Sequence, residues 1–137
     1  MHPNRSMPQA QVIPELAYPD VGAAIEWLCG AFGFSVRLRI GDHRAQLVFG
    51  SGAVIVRSGA APAEAAPSHS VMVRVENVDE HYARAVAAGA RTSGTPTTYP
   101  YGERQYAAQD PAGHWWVFSQ SVEDVPPSQW GGELVSK

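Results

Sequence analysis

The sequence contains one cysteine, Cys29, among 137 residues. An internal disulfide is therefore excluded. Cys29 stands in the apolar stretch 25–29, where we interpret it as a buried helix residue and not as a nucleophile.

Charge is also scarce, since 17% of the residues are charged and the formal net charge is −3. This balance provides no basic face for a polyanion, so we expect no nucleic-acid partner. No apolar run approaches membrane-spanning length, and residues 1–11 lack the apolar centre of a signal peptide. We therefore expect a soluble cytoplasmic protein of one domain, 1–137, with no membrane partner.

Several catalytic signatures are missing as well. The sequence has no nucleophile elbow, no glycine-rich phosphate loop, no CxxC and no paired-carboxylate signature. A Ser-His-Asp triad cannot be claimed from scattered residues.

The sequence contains an internal repeat, in which the same order of features occurs twice at a spacing of about 57 to 61 residues. Asp20 and Gly33 bracket a helical pattern in the first half, as Asn77 and Gly89 do in the second. The pattern predicts a βαβββ unit in each half. Because one such unit leaves a sheet face uncovered, we expect an α+β fold in which two units close around a cleft.

The predicted elements follow from this repeat. Module 1, about 12–58, has a strand at 12–18, a helix at 21–32 and strands at 34–40, 43–49 and 53–58. Residues 59–68 are the predicted linker. Module 2, about 69–121, has a strand at 70–76, a helix at 78–88 and strands at 91–98, 103–109 and 114–120, and an extension follows at 122–137.

Three segments carry a resemblance to a known family: AAIEWLCGAFGF in the first module, and VENVDEHYARAVAAGA and DPAGHWWVFS in the second. In this order and spacing the chain resembles the vicinal oxygen chelate superfamily over roughly 12–121. That superfamily includes glyoxalase I, extradiol dioxygenases, and fosfomycin and bleomycin resistance proteins. The resemblance implies that each βαβββ module forms a curved half-barrel sheet around the cleft, and that the protein is a homodimer.

The resemblance also implies where a metal would bind, because metal-dependent members use His and Glu from both modules. The corresponding positions here are Ile13, Val56, Ser70 and Val117. Aliphatic side chains have no lone pair to donate, so we predict a metal-free protein without cofactors. Whether the nearby His43 or His69 binds a metal in an unexpected register stays open, although a shift of one residue would reverse the strand face.

Strand alternation predicts which side chains line the cleft. It assigns Val36, Leu38, Ile40, Trp116 and Phe118 to the core. Trp115, Val117 and Ser119 are assigned to the cleft. The predicted ligand-binding residues are Arg37, Arg39, Arg44, Gln46, Met72, Arg74, Tyr101, Arg104, Tyr106 and Trp115. Arginine, tryptophan and methionine together suit an aromatic or anionic organic ligand.

Some of these assignments have alternatives. Arg104 and Tyr106 could face either the cleft or the core, and strand arginines are usually only solvated. Trp115 and Met72 could fill a dimer seam. The loop 97–102, which contains Tyr101, could form a lid or only a hairpin connection.

Two functional hypotheses remain. The first is a metal-independent protein that sequesters a small organic molecule such as a natural-product antibiotic. The alternative is a lyase, isomerase or dioxygenase-like enzyme acting in the same cleft, with Glu15 as a weak candidate for the catalytic base. The identity of the ligand cannot be read from the sequence.

Overall fold

The computed structural model describes residues 4–60 and 69–135, so most of the predicted linker lies outside the described residues. The elements in chain order are β1 (Glu15–Tyr18), α1 (Val21–Trp27) with a π-helical turn (Leu28–Phe32), β2 (Ser35–Ile40), β3 (Arg44–Phe49), β4 (Gly52–Ser58), β5 (Val71–Arg74), α2 (Val78–Ala87), β6 (Arg91–Thr92), β7 (Thr97–Thr98), β8 (Glu103–Gln109) and β9 (Trp115–Ser121). A short 3-10 turn, Pro127–Gln129, lies in the C-terminal segment.

The two sheets have the same strand order. The first runs β1-β4-β3-β2 and the second β5-β9-β8-β6, with β7 also paired to β8. In each sheet the first strand is parallel to the last one of its module, and the other pairs are antiparallel. This confirms the α+β fold of two βαβββ modules with curved sheets. The one strand predicted at 91–98 is two short strands, β6 and β7.

Both helices begin where the sequence predicts. The Asp20 side chain accepts a hydrogen bond from the backbone N–H of Ala23 over 3.0 Å, and Asn77 accepts one from Glu80 over 3.1 Å. The first helix ends at Gly33, whose φ of +87° lies in the left-handed region that glycine tolerates.

The helices and the sheet faces that they cover share one hydrophobic core. Phe32, at the end of the first helix, contacts Trp116 and Phe118 of module 2, with ring centroids 5.5 and 4.7 Å apart. All three side chains are fully buried. The helices thus lie on one face of each sheet, and we call the opposite face the open face of that module.

A β-bulge in β2 reverses the predicted alternation. Val36 pairs with Leu47, but after the bulge Leu38 pairs with Gln46 and Arg39 with Ala45. The assignments of Leu38 to the core and of Arg39 to the cleft were therefore wrong. The assignment of Ile40 to the core was wrong for the same reason, because Ile40 pairs with Arg44 and is 45% exposed. One inserted residue moves each later side chain to the other face.

Arg39 lies on the helix side, close to Cys29. Burial raises the pKa of the Cys29 thiol, and the charge of Arg39 partly opposes that shift. A thiol with a raised pKa is a poor nucleophile at neutral pH.

The helices of residues 4–60 and 69–135 include none that is long and apolar enough to span a membrane.

Candidate functional site

The open face of module 2 carries a large exposed apolar side chain, Met72. Cross-strand partners point to the same face. Met72 pairs with Val117, which pairs with Ala107, and Met72 is 62% exposed. By the same register this face carries Met72, Arg74, Glu103, Gln105, Ala107, Gln109, Trp115, Val117, Ser119 and Ser121. The alternation of residues 115–119 is thus as predicted.

A chain of hydrogen bonds crosses this face. Tyr101 Oη donates to Gln105 Oε1 over 3.4 Å, and Gln105 Nε2 donates to Ser119 Oγ over 3.0 Å. Ser119 in turn donates to Glu103 Oε1 over 2.6 Å. The donors all point in one direction, and the last acceptor is the carboxylate of Glu103.

The carboxylate at the end of this chain is held in its charged form. Hydrogen bonds from Ser119 and Ser121 lower the pKa of Glu103, and the charge of Arg74 acts in the same direction. A carboxylate with a lowered pKa is a weak base, although it remains a good hydrogen-bond acceptor.

The loop after β7 is a hairpin connection whose tyrosines edge the open face of module 2. Tyr99 and Tyr101 stack with ring planes 4° apart and centroids 5.6 Å apart. Trp130 packs edge-on against Tyr101 at 5.7 Å. The C-terminal segment is fixed here because Gly102 O accepts hydrogen bonds from the N–H groups of Val122 and Glu123.

Two hollows lie beside these residues. A cavity of about 510 Å³ on the open face of module 2 is lined by Ser93, Gly94, Thr95, Thr97, Tyr99, Gln105, Tyr106, Ala107 and Val117. A larger groove of about 1490 Å³ runs between β1 and β5 and includes Glu15, Met72 and Arg74. The larger groove, between β1 and β5, is wide enough for an organic molecule of drug size.

The open face of module 1 carries other predicted ligand-binding residues. Arg44 forms an ion pair with Glu15 at 3.1 Å, and both side chains are partly exposed. The role of Glu15 as a catalytic base stays a prediction, and its carboxylate is paired with Arg44. Arg37 Nη1 donates to Gln46 Oε1 over 2.6 Å.

Two further candidates lie on the helix side. Arg104 pairs with Asp79 of α2 at 3.0 Å. Tyr106 is 3% exposed, and its hydroxyl lies 2.6 Å from Nδ1 of His81. Both belong to the helix face of β8, which decides the alternative left open in the sequence, and Arg104 is corrected as a ligand-binding residue. Tyr106 still contributes to the lining of the cavity of about 510 Å³.

His81 joins the two modules through a defined tautomer. Its Nε2 lies 2.9 Å from the carbonyl oxygen of Phe32 and must donate, so Nδ1 accepts from Tyr106. Burial lowers the pKa of His81 and raises that of Tyr106. Both groups are held neutral, in a structural role.

The positions that correspond to metal ligands do not fit a metal. Val56 is fully buried on the helix side, so the residue of β4 on the open face is Ile55, which is equally unable to coordinate. The remaining positions are Ile13, Ser70 and Val117. No group of three or more His, Cys, Asp or Glu that could hold a metal ion lies within residues 4–60 and 69–135.

Comparison with known families agrees with this fold. The family model of the Glyoxalase/Bleomycin resistance protein/Dioxygenase superfamily matches residues 10–118. The chain belongs to this superfamily. No curated protein matches the sequence.

Among solved structures, TioX from Micromonospora sp. ML1 is 37% identical, with a TM-score of 0.70 over 82% of this chain and 99% of that chain. A glyoxalase-related enzyme from Fulvimarina pelagi is 20% identical, with a TM-score of 0.66 over 82% and 88% of the two chains. The fosfomycin resistance protein FosX from Listeria monocytogenes is 14% identical, with a TM-score of 0.71 over 85% and 96%. At these identities the last two support the fold alone.

Sequence reasoning did not select three residues of the hydrogen-bonded chain as ligand contacts: Glu103, Gln105 and Ser119. The alternation of β8 contained the signal, because Tyr106 and Ala108 are apolar positions of the core face, while Glu103 and Gln105, which precede them with the opposite parity, are polar.

Proposed function

We propose that this superfamily member is a metal-independent small-molecule binding protein, and that its ligand is an aromatic or anionic organic compound such as a natural-product antibiotic. The observation that carries this proposal is the open face of module 2. It combines an exposed methionine, Met72, with Trp115, Val117 and the arginine Arg74. Apolar surface with a few convergent polar groups is typical of a ligand site.

Each residue type has a separate role in this proposal. Trp115 offers a ring for stacking, Met72 adapts to an irregular shape, and Arg74 pairs with a carboxylate or phenolate. Gln105 and Tyr101 can exchange hydrogen bonds with a ligand by turning out of their present chain. Glu103 disfavours an anion placed directly against it, so the anionic group belongs on the Arg74 side.

Binding is favoured over catalysis by the same residues. The superfamily's usual chemistry needs a metal ion as a Lewis acid, and the ligand positions here are occupied by side chains that do not coordinate metals. Glu103, a carboxylate on this open face, has a lowered pKa and is a poor general base.

The test is calorimetric titration of planar aromatic natural products, each compared with a derivative in which its carboxylate is esterified. Trp115→Ala should weaken the binding of every compound by about 1 to 3 kcal/mol. Arg74→Ala should weaken only the acids, and the matched variant Arg44→Ala on module 1 should change neither.

The compounds must be recovered unchanged after long incubation. Unchanged affinity in both Trp115→Ala and Arg74→Ala would reject the proposed site. Conversion of a compound, followed by mass spectrometry, would replace binding by an enzymatic function.

We further propose a cytoplasmic homodimer. The support for a dimer is the large exposed side chain of Met72 on β5, the edge strand of the second sheet. A second copy that covers this face would enclose the ligand and bury apolar surface that one chain leaves in water.

A further inference from the structure

The N-terminal segment, residues 4–10, crosses the open face of module 1. The carbonyl oxygen of Ser6 accepts a hydrogen bond from Gln46 Nε2 over 2.7 Å. The neighbouring carbonyl of Arg5 accepts one from Arg37 Nη2 over 3.1 Å. Two side chains of the sheet thus bind two consecutive peptide groups of the same chain.

Within the sheet, the Gln46 side chain has a partner for its amide oxygen, and the N-terminal segment provides the acceptor for its amide nitrogen. Gln46 is 3% exposed, and its amide oxygen already accepts from Arg37 Nη1 over 2.6 Å. If the segment left, the buried Gln46 amide would lose its acceptor and would need water or another carbonyl in its place.

Apolar burial supports the same conclusion. Ala53 and Ile55 lie on this open face and are 7% and 3% exposed, yet neither belongs to the core cluster around the helices. Pro8 of the N-terminal segment is itself buried. On module 2, by contrast, Val117 pairs with Met72 as Ile55 pairs with Glu15, and Val117 is only partly buried.

We infer that residues 4–10 are an internal occupant of the open face of module 1, held there by Gln46 and Arg37. Residues 4–9 precede the part of the chain that the family model matches. The two open faces are therefore not equivalent: a ligand has direct access to module 2, whereas a molecule that binds module 1 must first displace the chain's own backbone. Arg37 and Gln46, predicted as ligand-binding residues, hold the N-terminal segment instead.

Trypsin tests this inference on the full chain, because the bond after Arg5 contains the carbonyl that Arg37 binds. A docked segment cannot enter the protease, so cleavage reports the fraction of undocked chains. We expect cleavage at Arg5 to be about tenfold or more slower than in a synthetic peptide of residues 1–12, measured by mass spectrometry. Gln46→Leu and, separately, Arg37→Met should raise the rate several-fold.

Gln105→Leu, which changes the glutamine on the open face of module 2, is the matched control and should leave the rate at Arg5 unaltered. Cleavage after Arg39 and Arg44 within the sheet monitors global unfolding in each sample. The inference is overturned if the wild-type chain is cut at Arg5 as fast as the peptide. It is equally overturned if neither Gln46→Leu nor Arg37→Met accelerates that cut while the sheet stays intact.

Discussion

Tyr18 of β1 donates its phenolic hydrogen to Asp110 Oδ2 over 2.5 Å, and the two buried side chains belong to different modules. Burial and the charge of Asp110 raise the pKa of Tyr18, so the phenol remains a donor. Asp110 also accepts from the indole N–H of Trp116 and from the backbone N–H groups of Ala112 and His114. One carboxylate thus shapes the turn before β9 and fixes that turn to β1.

The first prediction concerns the stability of this junction. Tyr18→Phe removes one hydrogen bond to a charged acceptor and should lower the free energy of unfolding by about 1.5 to 3 kcal/mol. Asp110→Ala leaves several buried donors without an acceptor and should cost on the order of 3 to 5 kcal/mol. Urea unfolding measures both, with the exposed Tyr99→Phe as control. Equal losses for Tyr18→Phe and Asp110→Ala would show that Asp110 has no wider role.

The second prediction is a pH dependence that originates at His81. Burial lowers the pKa of His81, and the nearby charge of Arg84 adds to this, whereas the hydrogen bond to Phe32 O acts in the opposite direction. Below pH of about 6.5 an unfolded histidine takes up a proton that folded His81 resists, so stability should fall as the pH drops. Above that pH both states are neutral and the effect vanishes.

Thermal melting between pH 7.5 and 5 measures this slope. His81→Gln should flatten it, since glutamine can still donate to Phe32 O. His43→Gln, at an exposed position, should retain it. A variant at His81 that keeps the full wild-type slope would assign the pH dependence to other groups.

The fold could be predicted because the repeat and its two helix caps are local signals. Asp20 and Asn77 mark where the helices begin, and regular alternation placed Trp116 and Phe118 in the core correctly. The faces of β2 could not be predicted, because nothing local marks the bulge after Val36. The bulge reverses every assignment that follows it, including that of Arg39.

The candidate site was harder to predict than the fold. Strand alternation predicts the face on which a side chain lies but not its partners. Arg44 lies on an open face as expected, yet its charge is paired with Glu15. The role of Gln46 depends on a segment more than thirty residues away in sequence. Tertiary contacts of this kind leave no periodic signal in the chain.

The third prediction is that divalent Zn, Ni, Mn or Fe neither binds at one equivalent per chain nor raises the melting temperature. Ile13, Ile55, Ser70 and Val117 supply no imidazole or carboxylate ligand, and a specific site would stabilise the folded state by mass action. Elemental analysis and thermal melting measure this. Stoichiometric metal that is lost in His43→Ala or His69→Ala would contradict it.

The fourth prediction is a dimer in solution. Light scattering at micromolar concentration should give twice the chain mass of 14.7 kDa. If the partner covers the open face of module 2, Met72→Asp should shift the population toward monomer, because it would bury an unpaired charge. Val135→Asp, at a side chain that is 92% exposed, is the control. A wild-type mass of one chain would exclude the dimer.

The fifth prediction concerns Gly102, which anchors the C-terminal segment. Its φ of +83° disfavours other residues, and an added Cβ would overlap the carbonyl oxygen of Glu123. Gly102→Ala should therefore displace the segment and separate Trp130 from Tyr101. Trp130 should then become more accessible to iodide quenching.

Gly50→Ala separates the two effects of this substitution. Gly50 also has a positive φ, +56°, but no atom lies within 4 Å of its added Cβ. Gly50→Ala should lower the free energy of unfolding only by the cost of a left-handed backbone at a residue other than glycine, about 1 to 2 kcal/mol. It should leave the quenching of Trp130 unchanged. Because overlap with backbone cannot be relieved by a side-chain rotation, Gly102→Ala should lose more stability than Gly50→Ala in urea unfolding. Equal losses, with no change in quenching, would mean that the C-terminal segment is not held at Gly102.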